Sequence, residues 1–167
     1  MIEIVESGMT FGPFQPQDLY QVEKSDFLPR NVKSVEFIWI TPEDKKLLFV
    51  EAKSSFSSPG NVNDFSKNLQ NVYIKMLDSL ILLSTSKIGR HADLHRDLPD
   101  KFHQIDWSRI DIHFRLVVPE FRKEWLGPIT DALRREMKHF LSSFNISTLN
   151  LRVINREIAS KEGLLRT

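Results

Sequence analysis

Apolar positions along the chain fall into short runs and long stripes. Val35-Glu36-Phe37-Ile38-Trp39-Ile40 and Phe49-Val50-Glu51-Ala52-Lys53 are aromatic and β-branched runs, separated by the polar, Pro-containing linker Thr41 to Lys46. They predict two antiparallel strands joined as a hairpin over residues 34 to 53. Ile110 to Val118 alternates and then turns wholly apolar before Pro119, the pattern of a strand entering the middle of a sheet. Thr148 to Ile154 reads as the last strand and residues 1 to 6 as a short first one. From Asp64, the residues Phe65, Leu69, Val72, Met76, Leu80 and Leu83 recur at three and four, a core-facing helical stripe that Asn63 can cap. Leu77, Ile81 and Leu82 broaden it, so the second half is expected to be buried on most sides. A second long helix over Phe121 to Phe144 directs Trp125, Ile129, Leu133, Met137, Leu141 and Phe144 inward. Pro16 suits the first turn of a shorter helix continuing to Ser25, with Leu19 and Val22 inward. Thr10 to Gln15, Ser54 to Asn63 with its Pro59-Gly60 turn, and Ile88 to Arg109 read as connections, the last as a surface loop or flap over a site. Asn155 to Leu165 is read as a tail. The order predicts an α/β fold: a central mixed sheet with the hairpin near its centre, flanked by long helices.

Residues two apart on a strand share a face. Glu51 and Lys53 therefore point together, and Val50 and Ala52 point to the opposite side. Two charges closing an apolar run imply a face that is wet or functional. Pairing the two runs can bring Glu36 beside them. As a solvated ion pair Glu51 and Lys53 would contribute ~0 to 1 kcal/mol; as a site, two carboxylates suit a hard cation such as Mg²⁺, which takes oxygen ligands and keeps several waters.

An acid, a hairpin and then Glu-x-Lys on the next strand resembles the core of the PD-(D/E)xK nuclease superfamily, the restriction-endonuclease-like fold. The resemblance implies a Mg²⁺- (or Mn²⁺-) dependent nuclease that hydrolyses DNA phosphodiester bonds. It implies that Glu36 and Glu51 hold the ion, that the Ala52 carbonyl helps, and that Lys53 assists the attacking water. Glu36 stands where that family usually has Asp, and Val35 precedes it in place of Pro. In several branches the helix before the hairpin adds an acid, for which Glu23 is the candidate ahead of Asp18. Some members carry Gln and Tyr on the helix after the hairpin; here Gln70 and Tyr73 are three apart rather than four, so that motif is not assigned. Lys67 and Lys75 on the first long helix, and Arg134 and Lys138 on the second, are the candidate phosphate contacts, although a lysine stripe is more often a plain solvated face. Asp131 and Arg135, four apart, neutralise part of the second.

Composition changes this picture little. The 167 residues, 41% hydrophobic and 27% charged, fit one domain over 1–167 with a substantial core. Net charge is +1; residues 1–60 hold 6 Lys/Arg against 9 Asp/Glu, and 61–167 hold 17 against 13, an acidic hairpin flanked by basic helices. Absent cysteine excludes a Cys nucleophile and Cys-based zinc sites, and with the acidic start, Glu3 and Glu6, predicts a cytoplasmic setting. The most apolar stretch, Leu77 to Leu83, is broken by Asp78, so no membrane span is expected. His91 and His95 are four apart, as zinc ligands on a helix would be, yet the Glu of the metalloprotease pattern is missing. No Gly-rich phosphate loop, nucleophile elbow or dinucleotide fingerprint occurs. A homodimer would suit cutting of two strands. Two other readings stay open: a nuclease-like fold without catalysis, acting as an interaction module, and an unrelated α/β binding domain with an accidental Glu-x-Lys.

Overall fold

In the computed structural model, which describes residues 1–43 and 45–166, five strands form one mixed sheet. They are β3 (Leu19–Tyr20), β4 (Phe37–Ile40), β5 (Lys46–Ala52), β6 (Asp111–Val117) and β7 (Leu151–Ile154), in the order β3-β4-β5-β6-β7. The expected hairpin is β4–β5, antiparallel, with Phe37 opposite Val50 and Ile40 opposite Leu47. Asp44, in its linker, lies outside the described residues. β5 and β6 run parallel, as do β6 and β7. Parallel neighbours need crossovers. Helix α1 (Val62–Lys87), with the short α2 (Ala92–Asp97) and α3 (Asp100–Gln104), makes the first, and α4 (Lys123–Ser143) the second. The hairpin thus places β5 at the centre of the sheet.

Side-chain alternation divides the core in two. Ile38, Ile40, Leu47, Phe49, Ile112, Phe114 and Leu116 pack on one face beneath Leu69, Val72, Met76 and Leu80 of α1 and Leu133, Met137 and Leu141 of α4. Phe37, Trp39, Leu48, Val50, Ala52 and Val117 form the other face. Both long helices therefore share one side. The opposite side is covered by the hairpin β1 (Ile2–Glu6) and β2 (Met9–Phe14), by α5 (Arg156–Lys161) and by the segment after it, through Ile4, Met9, Phe11, Phe14, Ala159 and Leu164.

Several local expectations are corrected. Residues 10 to 14 of that stretch belong to a strand, because Met9, Phe11 and Phe14 need the back of the sheet, and Ser7 and Gly8, both at positive φ, close the two-residue turn before it. The helix expected from Pro16 to Ser25 is instead two 3-10 turns around β3, since Leu19 and Tyr20 pair with Trp39 and Ile38 and that edge pairing overrides helix propensity. α1 starts after Asn61, whose amide donates to Asp64, rather than after Asn63. Ile88 to Arg109 folds into α2 and α3 because Leu94, Leu98 and Phe102 are buried in the main core. The tail contains α5, capped when the Asn155 side chain accepts from Ile158 N–H. Trp125 and Phe144 are exposed rather than inward, Trp125 packing edge-on against Phe121 with the Arg122 guanidinium over its ring. Among the described residues no helix is long and apolar enough to cross a membrane.

Candidate functional site

Glu51 sits on the helix-facing side of β5, in phase with Leu47 and Phe49, and only 1% of its side chain is exposed. The position is therefore not a wet strand face. Continuing the β4–β5 register by one residue sets Glu36, directly ahead of β4, across from Glu51. Both acids lie beneath α1, where Lys75 meets them. Its Nζ is 2.9 Å from Glu51 Oε1, 3.1 Å from Oε2 and 3.5 Å from Glu36 Oε1. Lys53 Nζ is 3.8 Å from Glu51 Oε1.

A chain of hydrogen bonds explains why Glu36 arrives there. One turn beyond Lys75, the Ser79 hydroxyl accepts from Val35 N–H at 2.9 Å and Asp78 accepts from Lys33 N–H at 2.9 Å. Lys33 also reaches Asn71. Asn71, Lys75, Asp78 and Ser79 thus form a polar edge along the apolar stripe of α1, and that edge clamps residues 33–35 just before the first acid. Isolated from tertiary context, Lys67, Asn71 and Lys75 read as one solvated lysine stripe. In the structure Lys67 is exposed and Lys75 belongs to the site.

Burial dominates the electrostatics. It pushes the Glu51 carboxyl up to about 7, with Lys75 and Lys53 opposing and Glu36 adding to the rise. Glu36 is raised for the same first reason, opposed by Lys75 and reinforced by Glu6 and Glu23. For Lys75 burial acts downward, yet Glu51, Glu36 and Glu23 outweigh it and hold the ammonium above its ordinary range. Lys75 serves both Glu51 oxygens, Oε2 as a hydrogen-bond acceptor and Oε1 as the closer partner of the ion pair.

A cavity of about 430 Å³ opens beside this cluster. Its wall includes Lys33, Lys53, Lys75, Asn71 and Glu23, three cations against one acid, while Glu36 and Glu51 are not on the wall. Glu23 is carried by the 3-10 turn Val22–Lys24. The Ala52 methyl packs into the back core, so that residue could offer only its carbonyl. Arg134 is half-buried and donates to the Leu151 carbonyl at 3.0 Å; Lys138 is exposed on α4. The histidines lie elsewhere: His91 precedes α2, and the His95 ring is 2.8 Å from the Ser86 carbonyl and packs on His103. No three His, Cys, Asp or Glu side chains among the described residues are grouped to hold a metal, so a cation at this place would rest on two carboxylates.

Two carboxylates that share one ammonium between them, Glu51 fully buried and Glu36 partly so, fit a hard cation that completes its shell with water and substrate oxygens. Comparisons with protein-family models, with curated proteins and with solved structures give no match.

Proposed function

We propose that the protein is a nuclease of the restriction-endonuclease-like type, hydrolysing DNA phosphodiester bonds with Mg²⁺ or Mn²⁺. The observation that carries this reading is an acid pair, buried Glu51 and half-buried Glu36, beside a cavity walled by Lys33, Lys53 and Lys75. Glu36, Glu51 and the Ala52 carbonyl would hold the ion, which when bound polarises the phosphodiester and acidifies water. The cavity lysines face the phosphate and offset its charge. Lys53 donates a hydrogen bond that orients the attacking water; as the water oxygen bonds to phosphorus it gives its proton to solvent, the bond to the departing sugar oxygen breaks, and that oxygen takes a proton from solvent. Glu23, on the wall, adds to the negative field at Glu36. Exposed Lys67 and Lys138, with Arg134, would hold the backbone without reading sequence. A homodimer would serve to cut both strands.

The test is incubation of plasmid and linear DNA with the full chain and Mg²⁺ or Mn²⁺, beside Lys53→Ala and Glu51→Gln. Cutting that needs the ion and is lost in both variants while their circular dichroism is unchanged supports the reading. Cutting that survives both substitutions overturns it. A second reading, a nuclease-like fold that serves as a binding module, is favoured by one observation: Lys75 already compensates both acids. DNA retained without cleavage in either ion would select it.

A further inference from the structure

We infer that the Lys75 ammonium is a tethered occupant of the cation position, which a divalent ion must displace, and that the displaced side chain then serves the phosphate cavity. The inference rests on the proposed function and deepens it by assigning how the site is loaded. Its grounds are geometric. Lys75 Nζ stands 2.9 and 3.1 Å from the two Glu51 oxygens and 3.5 Å from Glu36, so it fills the space between the two acids that would hold an ion. Glu51 is 99% withdrawn from solvent, and its Oε1 stands 2.9 Å from the Lys75 ammonium and 3.8 Å from that of Lys53. Both Glu51 oxygens thus already face a cation, the environment that a bound ion would also supply.

The route for exchange is also present. Glu36 and Glu51 are not on the cavity wall, whereas Lys75 is, so one residue both lines the cavity and holds the acids through its ammonium. Lysine is a flexible stem with a compact charge. Released from the carboxylates, Lys75 remains on that wall beside Lys33 and Lys53, where a phosphate would lie. Loading the ion would thus add a free cation to the substrate cavity. A permanent structural bridge would do neither.

The experiment titrates Mn²⁺ into the full-length wild type, Lys75→Met and Lys75→Gln by calorimetry, with folding followed by circular dichroism. The inference expects one ion per chain in all three and a dissociation constant smaller by roughly tenfold or more in both variants. Equal or weaker binding by folded variants overturns it and leaves the nuclease reading standing. Failure of Mn²⁺ to bind the wild type and both folded variants overturns the inference and the nuclease reading together. Should the variants not fold, the wild type decides by nitrogen NMR of its lysine side chains. Saturating Mg²⁺ is expected to shift the Lys75 Nζ signal and abolish its hydrogen-bond coupling to Glu51. An unchanged signal at saturation overturns the inference.

Discussion

The ammonium of Lys75 lies 2.9 Å from Glu51 Oε1 although 24 positions separate the two residues. One comes from the helix of a crossover and the other from the central strand, so the contact ties α1 to β5. Removing one partner of a buried pair leaves the other charge uncompensated. In metal-free buffer at pH 8, Lys75→Ala is therefore expected to cost about 3 kcal/mol of stability. Near pH 5, where Glu51 is protonated, the cost should shrink. Urea unfolding at both pH values checks this, and a loss that is equal at both would contradict the assigned burial of charge.

Glu51 itself gives the second pH dependence. Its carboxyl titrates near 7 when folded against an ordinary 4.5, so the folded state holds this proton more tightly than the unfolded chain. That contribution to stability is fully present below about pH 4.5 and is lost as pH rises through 7, on the order of 3 kcal/mol in all. Glu51→Gln keeps the shape and removes the titration. The stability of the metal-free wild type should accordingly fall relative to Glu51→Gln between those limits and run parallel to it outside them. Curves that stay parallel from pH 4 to 8 would refute the shift.

Much of the site was legible because strand periodicity is strict. Once Phe37 to Ile40 and Phe49 to Ala52 are read as a hairpin, a period of two fixes Glu51 opposite in sense to Val50 and Ala52, and that is observed. What periodicity leaves open is the neighbour across the face. Lys75 occupies a position at the border of the buried stripe of α1, where spacing alone does not separate a solvated lysine from one turned onto the sheet. The usable signal was nearby: Asp78 and Ser79 continue a polar edge that a solvated face had no need to set against Val72 and Met76. The 3-10 turns around Leu19 were illegible for a different reason, since a two-residue edge strand is defined by its partner β4 and not by its own residues. The missed strand over Met9 to Phe14 did carry a signal, Ser7-Gly8, a turn pair preceding alternating Met9 and Phe11.

Gly12 reports on how closely that N-terminal hairpin is packed. Its φ is +103°, and a Cβ there would stand 2.8 Å from the Ile2 carbonyl oxygen, a backbone atom that cannot step aside. Strain and clash act together, so Gly12→Ala should destabilise by roughly 2 kcal/mol or more. At Gly8, φ +72° but nothing is within 4 Å of the added atom, and the same substitution should cost about 1 kcal/mol. Thermal melts of the two variants compare them directly; equal shifts would mean the close approach at Gly12 is not realised in solution.

Ser79 offers a way to disturb the candidate site without touching an ionisable group. Its hydroxyl accepts from Val35 N–H, and both residues are buried. Ser79→Ala leaves that N–H in an apolar setting with no acceptor, a cost of about 1 to 3 kcal/mol. The structural effect should be local. Val35 immediately precedes Glu36, so slackening this bond lets the first acid drift from Lys75 while Glu51, fixed in the middle of β5, stays in place. Hydrogen exchange is the discriminating measurement. The Val35 amide should exchange faster by more than the global loss of stability accounts for, and the amides of Phe49 and Val50 should follow the global loss alone. Uniform acceleration across β4 and β5 would show instead that Ser79 supports the sheet as a whole and has no particular hold on Glu36.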